Sequence, residues 1–397
     1  MPFRRRAAAP SLARLPFLAP GGVALLLGID AGLQLVGVPA VPVSQRLPDT
    51  HGPLLVLGFV GTLIALERAV ALRRRAGFAA PALLGLGGLL LVVTPVPLPV
   101  GQWLLVAGSA AMALLYVWLW RRNRDDAVVV QALGAVMATG GAVLWLGSVP
   151  VSRLLPWLAA FVVLTIAGER LELARLELLG TAAPVRLVAV SVATVLSTTT
   201  SLLWPQWGIP LLGLSLLALV GWLAAHDVTR RTIRASGLPR FVAACLVAGY
   251  AWLAVAGAVW LLHGPTTEGP AYDATVHAVF LGFTMSMIMA HAPVILPAVL
   301  RVRLPYHSVM YVPAALLHLS LLLRLAVGDA RGLELPRQVG GALNGLALVL
   351  FVTVVVWSAL RARHSGVSTP PAVARDHQPA TTAAETAAAQ GLAEVRG

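Results

Sequence analysis

Apolar runs of about 20 residues, the length needed to cross about 30 Å of hydrocarbon, follow one another along most of this chain, separated by short gaps rich in Pro, Gly and Arg. In lipid every backbone N–H and C=O must be satisfied inside the protein, so runs of this length are helices. Twelve are read, at 16–39, 51–72, 78–98, 102–120, 127–148, 154–174, 185–204, 208–225, 240–262, 274–299, 309–328 and 338–360. Of 397 residues 58% are hydrophobic and 11% charged. A soluble domain of that length has no means of hiding so much apolar surface. The fold class is therefore all-α, a polytopic integral membrane protein.

The basic residues orient it. All 29 are arginine. With a cytoplasmic N-terminus, 24 arginines fall inside and five outside, a strong positive-inside bias. The chain is thus expected in the bacterial inner membrane with both termini cytoplasmic. Residues 1–15 read as a basic cytoplasmic N-terminus, 16–362 as the transmembrane domain, and 365–397 as a disordered tail of Ala, Thr and Pro. Topology and anionic lipid account for the net charge of +13, so no nucleic acid partner is expected. The one cysteine, Cys245, lies within a span and leaves no disulfide framework.

One phrase recurs. Superposing the Gly-Phe of "GFVGTLIALERA" (58–69) on that of "GFTMSMIMAHAP" (282–293) sets Thr62 on Ser286 and Glu67 on His291. A third copy, "AFVVLTIAGERL" (160–171), brings Glu169-Arg170 to the place of Glu67-Arg68. These are spans 2, 6 and 10, which predicts three four-helix units near 16–120, 127–225 and 240–360. All three spans run from outside to inside. His51 and His277 then share an outer depth, while Glu67, Glu169 and His291 share an inner one.

In the outer layer, two neutral imidazoles on neighbouring helices are suited to grip one haem iron as axial ligands. Each has an acid nearby, Asp49 for His51 and Asp273 for His277, placed to take the second ring N–H and fix the tautomer. The plainer reading makes Asp273 a helix N-cap. His277 and His291 are fourteen residues apart and face one way in an unbroken helix. The "HGP" at 51–53 puts His51 at or just before its helix start, where helical phase does not set its direction. Arg324, Arg331 and Arg337 cluster at the outer connection between spans 11 and 12. Arginine forks there suit haem propionates, or equally a surface pairing with Asp329 and Glu334. No CxxCH occurs, so the haem expected is non-covalent, of b type.

These residues resemble the haem–copper oxidase subunit I superfamily. "THGPLLVLGF" is similar to the His-Gly entry of its second helix, and "VHAVFLGF" stands for the tenth, which supplies the opposing haem ligand. NnrS-like proteins, membrane proteins with haem and copper that are linked to nitric-oxide stress, pair an early histidine span with a late one in the same manner. The pattern departs from an oxidase at its copper ligands. Span 6 carries Glu169 and no histidine, and span 7 has no histidine either. No complete oxidase or reductase active site is visible, and whether the protein is an enzyme stays open.

Ionisable groups inside a bilayer cost roughly 2.5–3.5 kcal/mol each on insertion scales, so they pair or work. Glu67, Glu169 and His291 read as a carboxylate–imidazole metal site for copper or iron, as a proton relay, or as interfacial ion pairs with Arg68 and Arg170. His318, near the middle of span 11, is a further candidate ligand. Asp30, with Gln34 one turn on, is a candidate support for a cofactor, or either residue is a hydrogen-bond partner between helices.

Three functions are consistent with this. The first is a haem-binding membrane protein with a redox or nitric-oxide and gas-response role, served by a redox partner protein or a quinone. The second is a secondary transporter using Asp30, Glu67, Glu169 and His291, although transporters more often show two-fold repeats with helices broken at the midplane. The third is a non-catalytic sensor or assembly subunit.

Overall fold

The computed structural model describes residues 12–41, 43–175, 178 and 180–364; the expectations for residues 1–11 and the tail from 365 lie outside these. Among the described residues there is no strand. Twelve helices are long and apolar enough to span a bilayer: α1 Leu15–Leu35, α2 Leu47–Leu72, α3 Arg75–Val92, α4 Leu98–Asn123, α5 Asp126–Leu146, α6 Val151–Ala174, α7 Ala183–Leu203, α8 Pro205–His226, α9 Leu238–His263, α10 Gly269–Leu300, α11 Ser308–Arg331 and α12 Glu334–Ala362. The protein is a multi-pass, all-α membrane protein.

The helices are not equivalent. The apolar windows of α2, α6 and α10 are 72%, 83% and 61% buried, against 28–56% for the other nine. The spans with the repeated phrase therefore form the interior, and the rest surround them. A carboxylate or imidazole facing hydrocarbon is costly, and these three buried helices carry Glu67, Arg68, Glu169, Arg170, His277 and His291.

Two of the three are built alike. α2 passes into a π-helical stretch at Leu54–Gly61 and α10 at Ala278–Met285, each soon after its histidine. π turns inside α-helices are rare and gather at functional sites. α6 is an unbroken α-helix from Val151 to Ala174 and does not share the feature. The π stretch lies between His277 and His291, so their spacing of fourteen does not carry the phase of an ideal helix.

Prolines move two helix starts outward from the positions expected. α2 begins at Leu47 with Pro48 in its first turn, and α10 at Gly269 with Pro270 there, because proline's fixed φ and missing N–H suit a helix start. His51 consequently lies within a helix rather than before one. Asp49 falls in the first helical turn, where its charge favours the helix dipole. Asp273 is inside α10 and not its N-cap, which is Glu268.

α2 crosses α3 at bare backbone. A Cβ built on Gly58 would stand 3.1 Å from the Gly88 Cα, and one on Gly88 would stand 2.8 Å from the Gly58 Cα. Such glycine contacts let membrane helices approach where no hydrophobic driving force joins them. The crossing fixes α2 close to His51.

Candidate functional site

The outer group is assembled from α1, α2, α10 and α11. The His51 Nδ1 lies 2.9 Å from the Gly28 carbonyl of α1. A carbonyl only accepts, so Nδ1 carries the hydrogen and Nε2 holds the lone pair. The His277 Nδ1 stands 3.0 Å from the Asp273 carbonyl and 3.1 Å from the Asp273 carboxylate, which fixes the same tautomer. Neither Nε2 has a hydrogen-bond partner among the described residues. His51 lies within electrostatic range of His277, Arg324 and Asp273.

Gly32 makes room for the His51 ring: a Cβ there would sit 3.1 Å from Cε1. Two lone pairs held on the same ring atom by backbone carbonyls suit axial ligation of a haem iron, so the donor set fits that group.

The supports of the two histidines differ. Asp273 holds His277, as its spacing predicts. Asp49 does not hold His51; the Gly28 carbonyl has that place, a partner that no side-chain pattern announces. Among the outer arginines only Arg324 reaches the group. It is 8% exposed and binds Asp273 with both arms of its fork, Nε to Oδ2 at 3.0 Å and Nη2 to Oδ1 at 2.8 Å. Its anion here is thus Asp273, which neither of the two readings for these arginines, propionates or a pairing with Asp329 and Glu334, had named. Arg337 pairs with Glu334 at 3.4 Å, and Arg331 is exposed. Asp30 accepts from Gln34 Nε2 at 2.8 Å and from the Val41 N–H at 2.9 Å. It ties the loop after α1 to that helix and supports no histidine.

The inner group is an ion network. Arg68 pairs with Glu67 at 2.8 Å, Glu172 at 3.1 Å and Glu169 at 3.5 Å, and Gln131 joins at Glu172. Arg170 donates to His291 Nε2 at 2.7 Å and lies 3.7 Å from Asp227. Asp227 in turn accepts from Tyr250 at 2.8 Å and from Thr229. The His291 Nδ1 bonds to the Met287 carbonyl at 2.5 Å, so both ring nitrogens are engaged.

Of the three readings offered for the inner residues, metal site, proton relay and ion pairs, these contacts are those of ion pairs. Arg68 stands at both carboxylates and Arg170 takes the imidazole lone pair, leaving no shared point for a cation. Among the described residues no group of three or more His, Cys, Asp or Glu side chains has the arrangement to hold a metal ion. His318 stands elsewhere. Its Nδ1 accepts from Trp252 Nε1 at 3.0 Å and its Nε2 meets the Ser286 hydroxyl at 3.4 Å, so it joins α9, α10 and α11. The sequence pattern had found Arg68 and Arg170 only as companions of the glutamates. Glu172, Asp227 and Tyr250 escaped it because their partners come from other helices.

Glu67, Glu169 and His291 nonetheless meet. All three line one cavity of about 520 Å³ on the arginine-rich side of the bundle, between α1, α2, α6, α10 and α12.

Fold and sites together define a polytopic helical membrane protein with an outer histidine pair and an inner ion network bordering a cavity. Residues 14–360 match the family described as Domain of unknown function (DUF8744), and the chain belongs to that family. No curated protein and no solved structure matches the chain significantly.

Proposed function

We propose that the protein is a haem-binding membrane protein of the bacterial inner membrane, with His51 and His277 as axial ligands of a non-covalent b-type haem. One observation carries the reading. Both rings use Nδ1 as a hydrogen donor to a backbone carbonyl, and both keep Nε2 free. His291 and His318, by contrast, engage both ring nitrogens.

A haem bound between two imidazoles supplies one-electron redox chemistry. The chain's own groups do the rest. Gly28 and Asp273 orient the rings, and Gly32 leaves the His51 ring its space. Arg324 holds the Asp273 carboxylate with both arms of its fork and so fixes the acceptor behind His277. A redox role follows most directly, with a redox protein or a quinone as electron partner. A gas-response role, the one implied by the resemblance to NnrS-like proteins, would draw on the same two histidines. The excess of arginine on one face supports cytoplasmic termini.

The test is the visible spectrum of the protein purified in detergent after expression with ample haem, reduced minus oxidised. A sharp reduced band lost in both His51→Ala and His277→Ala is expected. A haem-free protein, or a band that survives both substitutions, overturns the reading.

A further inference from the structure

The inner cavity is walled by Leu18 and Gly22 of α1, Leu63 of α2, Leu296 of α10, and Phe351 and Val355 of α12. Among the described residues, the ionisable groups that line it are Glu67, Glu169 and His291. At about 520 Å³ it falls within the range of small-molecule sites. Its lining also runs to residues at the arginine-side ends of three helices, Leu15, Leu300 and Leu360. A long apolar chain would therefore meet apolar side chains along the length of the cavity.

The polar end is rich in carboxyls. Four carboxyls (Glu67, Glu169, Glu172 and Asp227) share two guanidiniums, Arg68 and Arg170. His291 accepts from Arg170 and adds no charge. Buried carboxylates without enough donors are costly. Tyr116 is fully buried, and its hydroxyl and the Arg68 Nε have no partner among the described residues. Neither residue lines the cavity, so a ligand there meets the carboxyls of Glu67 and Glu169 and not these two donors.

The charge decides what fits. A phosphate head or a fatty-acid carboxylate would add negative charge to an end already rich in carboxyls. A neutral head bearing hydroxyl groups would donate to Glu67 and Glu169 and add none. We infer that the cavity binds a lipid-tailed quinol, with ring hydroxyls donating to Glu67 and Glu169 and the tail running between α1, α10 and α12. Binding requires only the cavity and its glutamates, so it stands or falls apart from the haem reading.

The test uses the full-length protein in dodecyl maltoside, titrated calorimetrically with decylubiquinol, oleate and dodecyl phosphate. Saturable quinol binding, with the two anions weaker, is expected. Replacing Glu67 and Glu169 together by Gln removes two charged acceptors at constant size and weakens quinol binding about tenfold or more. Gly22→Leu tests the tail path separately, because a Cβ at Gly22 meets nothing within 4 Å and leaves the ion network intact. It should weaken decylubiquinol binding while leaving the melting temperature unchanged. Quinol affinity unmoved by both changes, or tighter binding of either anion, overturns the assignment.

Discussion

Arg324 grips the carboxylate of Asp273 by two hydrogen bonds, at 3.0 and 2.8 Å, while His277 leans on the same carboxylate from one turn further along α10 at 3.1 Å. The arginine belongs to α11, so one ion pair both locks two helices and orients a histidine. Breaking a buried pair from one side leaves an unpaired charge, at about 3–5 kcal/mol. We expect Arg324→Leu to lower the melting temperature in detergent clearly. Arg324→Lys keeps the charge but loses the fork, and should fall between it and the unaltered protein. Equal melting of all three would show that the pair contributes nothing.

The Gly32 position tests the His51 ring without touching a ligand. A Cβ there would lie 3.1 Å from Cε1, tighter than ordinary van der Waals contact, so the ring must shift. If His51 holds a haem, Gly32→Ala should move the midpoint potential or the reduced band while haem stays bound. Circular dichroism should show unchanged helix content. An identical spectrum and potential would mean that the ring is not at the iron.

How much of this could be read from the chain depends on what holds each residue. The helices were legible because hydrocarbon thickness sets their length, although the starts at Leu47, Leu98, Gly269 and Glu334 lie about a turn before those expected. The pairing of His277 with Asp273 was legible because both lie on one helix, one turn apart. The Gly28 carbonyl behind His51 was not, since a backbone acceptor leaves no mark in side-chain identity. The π stretches were invisible for a similar reason: "LLVLGFVG" and "AVFLGFTM" are apolar runs like many others. The inner residues were legible as groups that meet, since Glu67, Glu169 and His291 line one cavity, and as partners of arginine; which arginine serves which carboxylate was not legible, because Glu169 pairs with Arg68 of another helix. Arginines that arrive from neighbouring positions took up the donors that spacing alone offers to a metal.

The α2–α3 crossing should be the least forgiving part of the bundle. Gly58 and Gly88 meet backbone to backbone, and neither side can swing away as a side chain would. Overpacking a close contact costs about 1–3 kcal/mol, occasionally more. We expect Gly88→Leu to melt well below the unaltered protein. Gly221→Leu, at a position where a Cβ meets nothing within 4 Å, should not. Similar melting of the two would mean that α2 and α3 can separate at no cost.

The ion network makes a prediction in which a second substitution repairs the first. Arg68 is 7% exposed and serves Glu67, Glu169 and Glu172 at once. Arg68→Leu strands three carboxyls beside one another, and about 3–5 kcal/mol of destabilisation is expected. Of the three, Glu169 has the more enclosed side chain, 12% exposed against 23% for Glu67 and 47% for Glu172. The stranded charge at Glu169 should therefore dominate the cost. Adding Glu169→Gln to Arg68→Leu removes it and should recover part of the lost stability, whereas Glu172→Gln should recover less. Residues in one network couple rather than add, and a double-mutant cycle on melting temperatures reads that coupling directly. Additive effects would show that Arg68 acts on its carboxylates independently, as separate surface-like pairs rather than as the shared centre of one buried cluster.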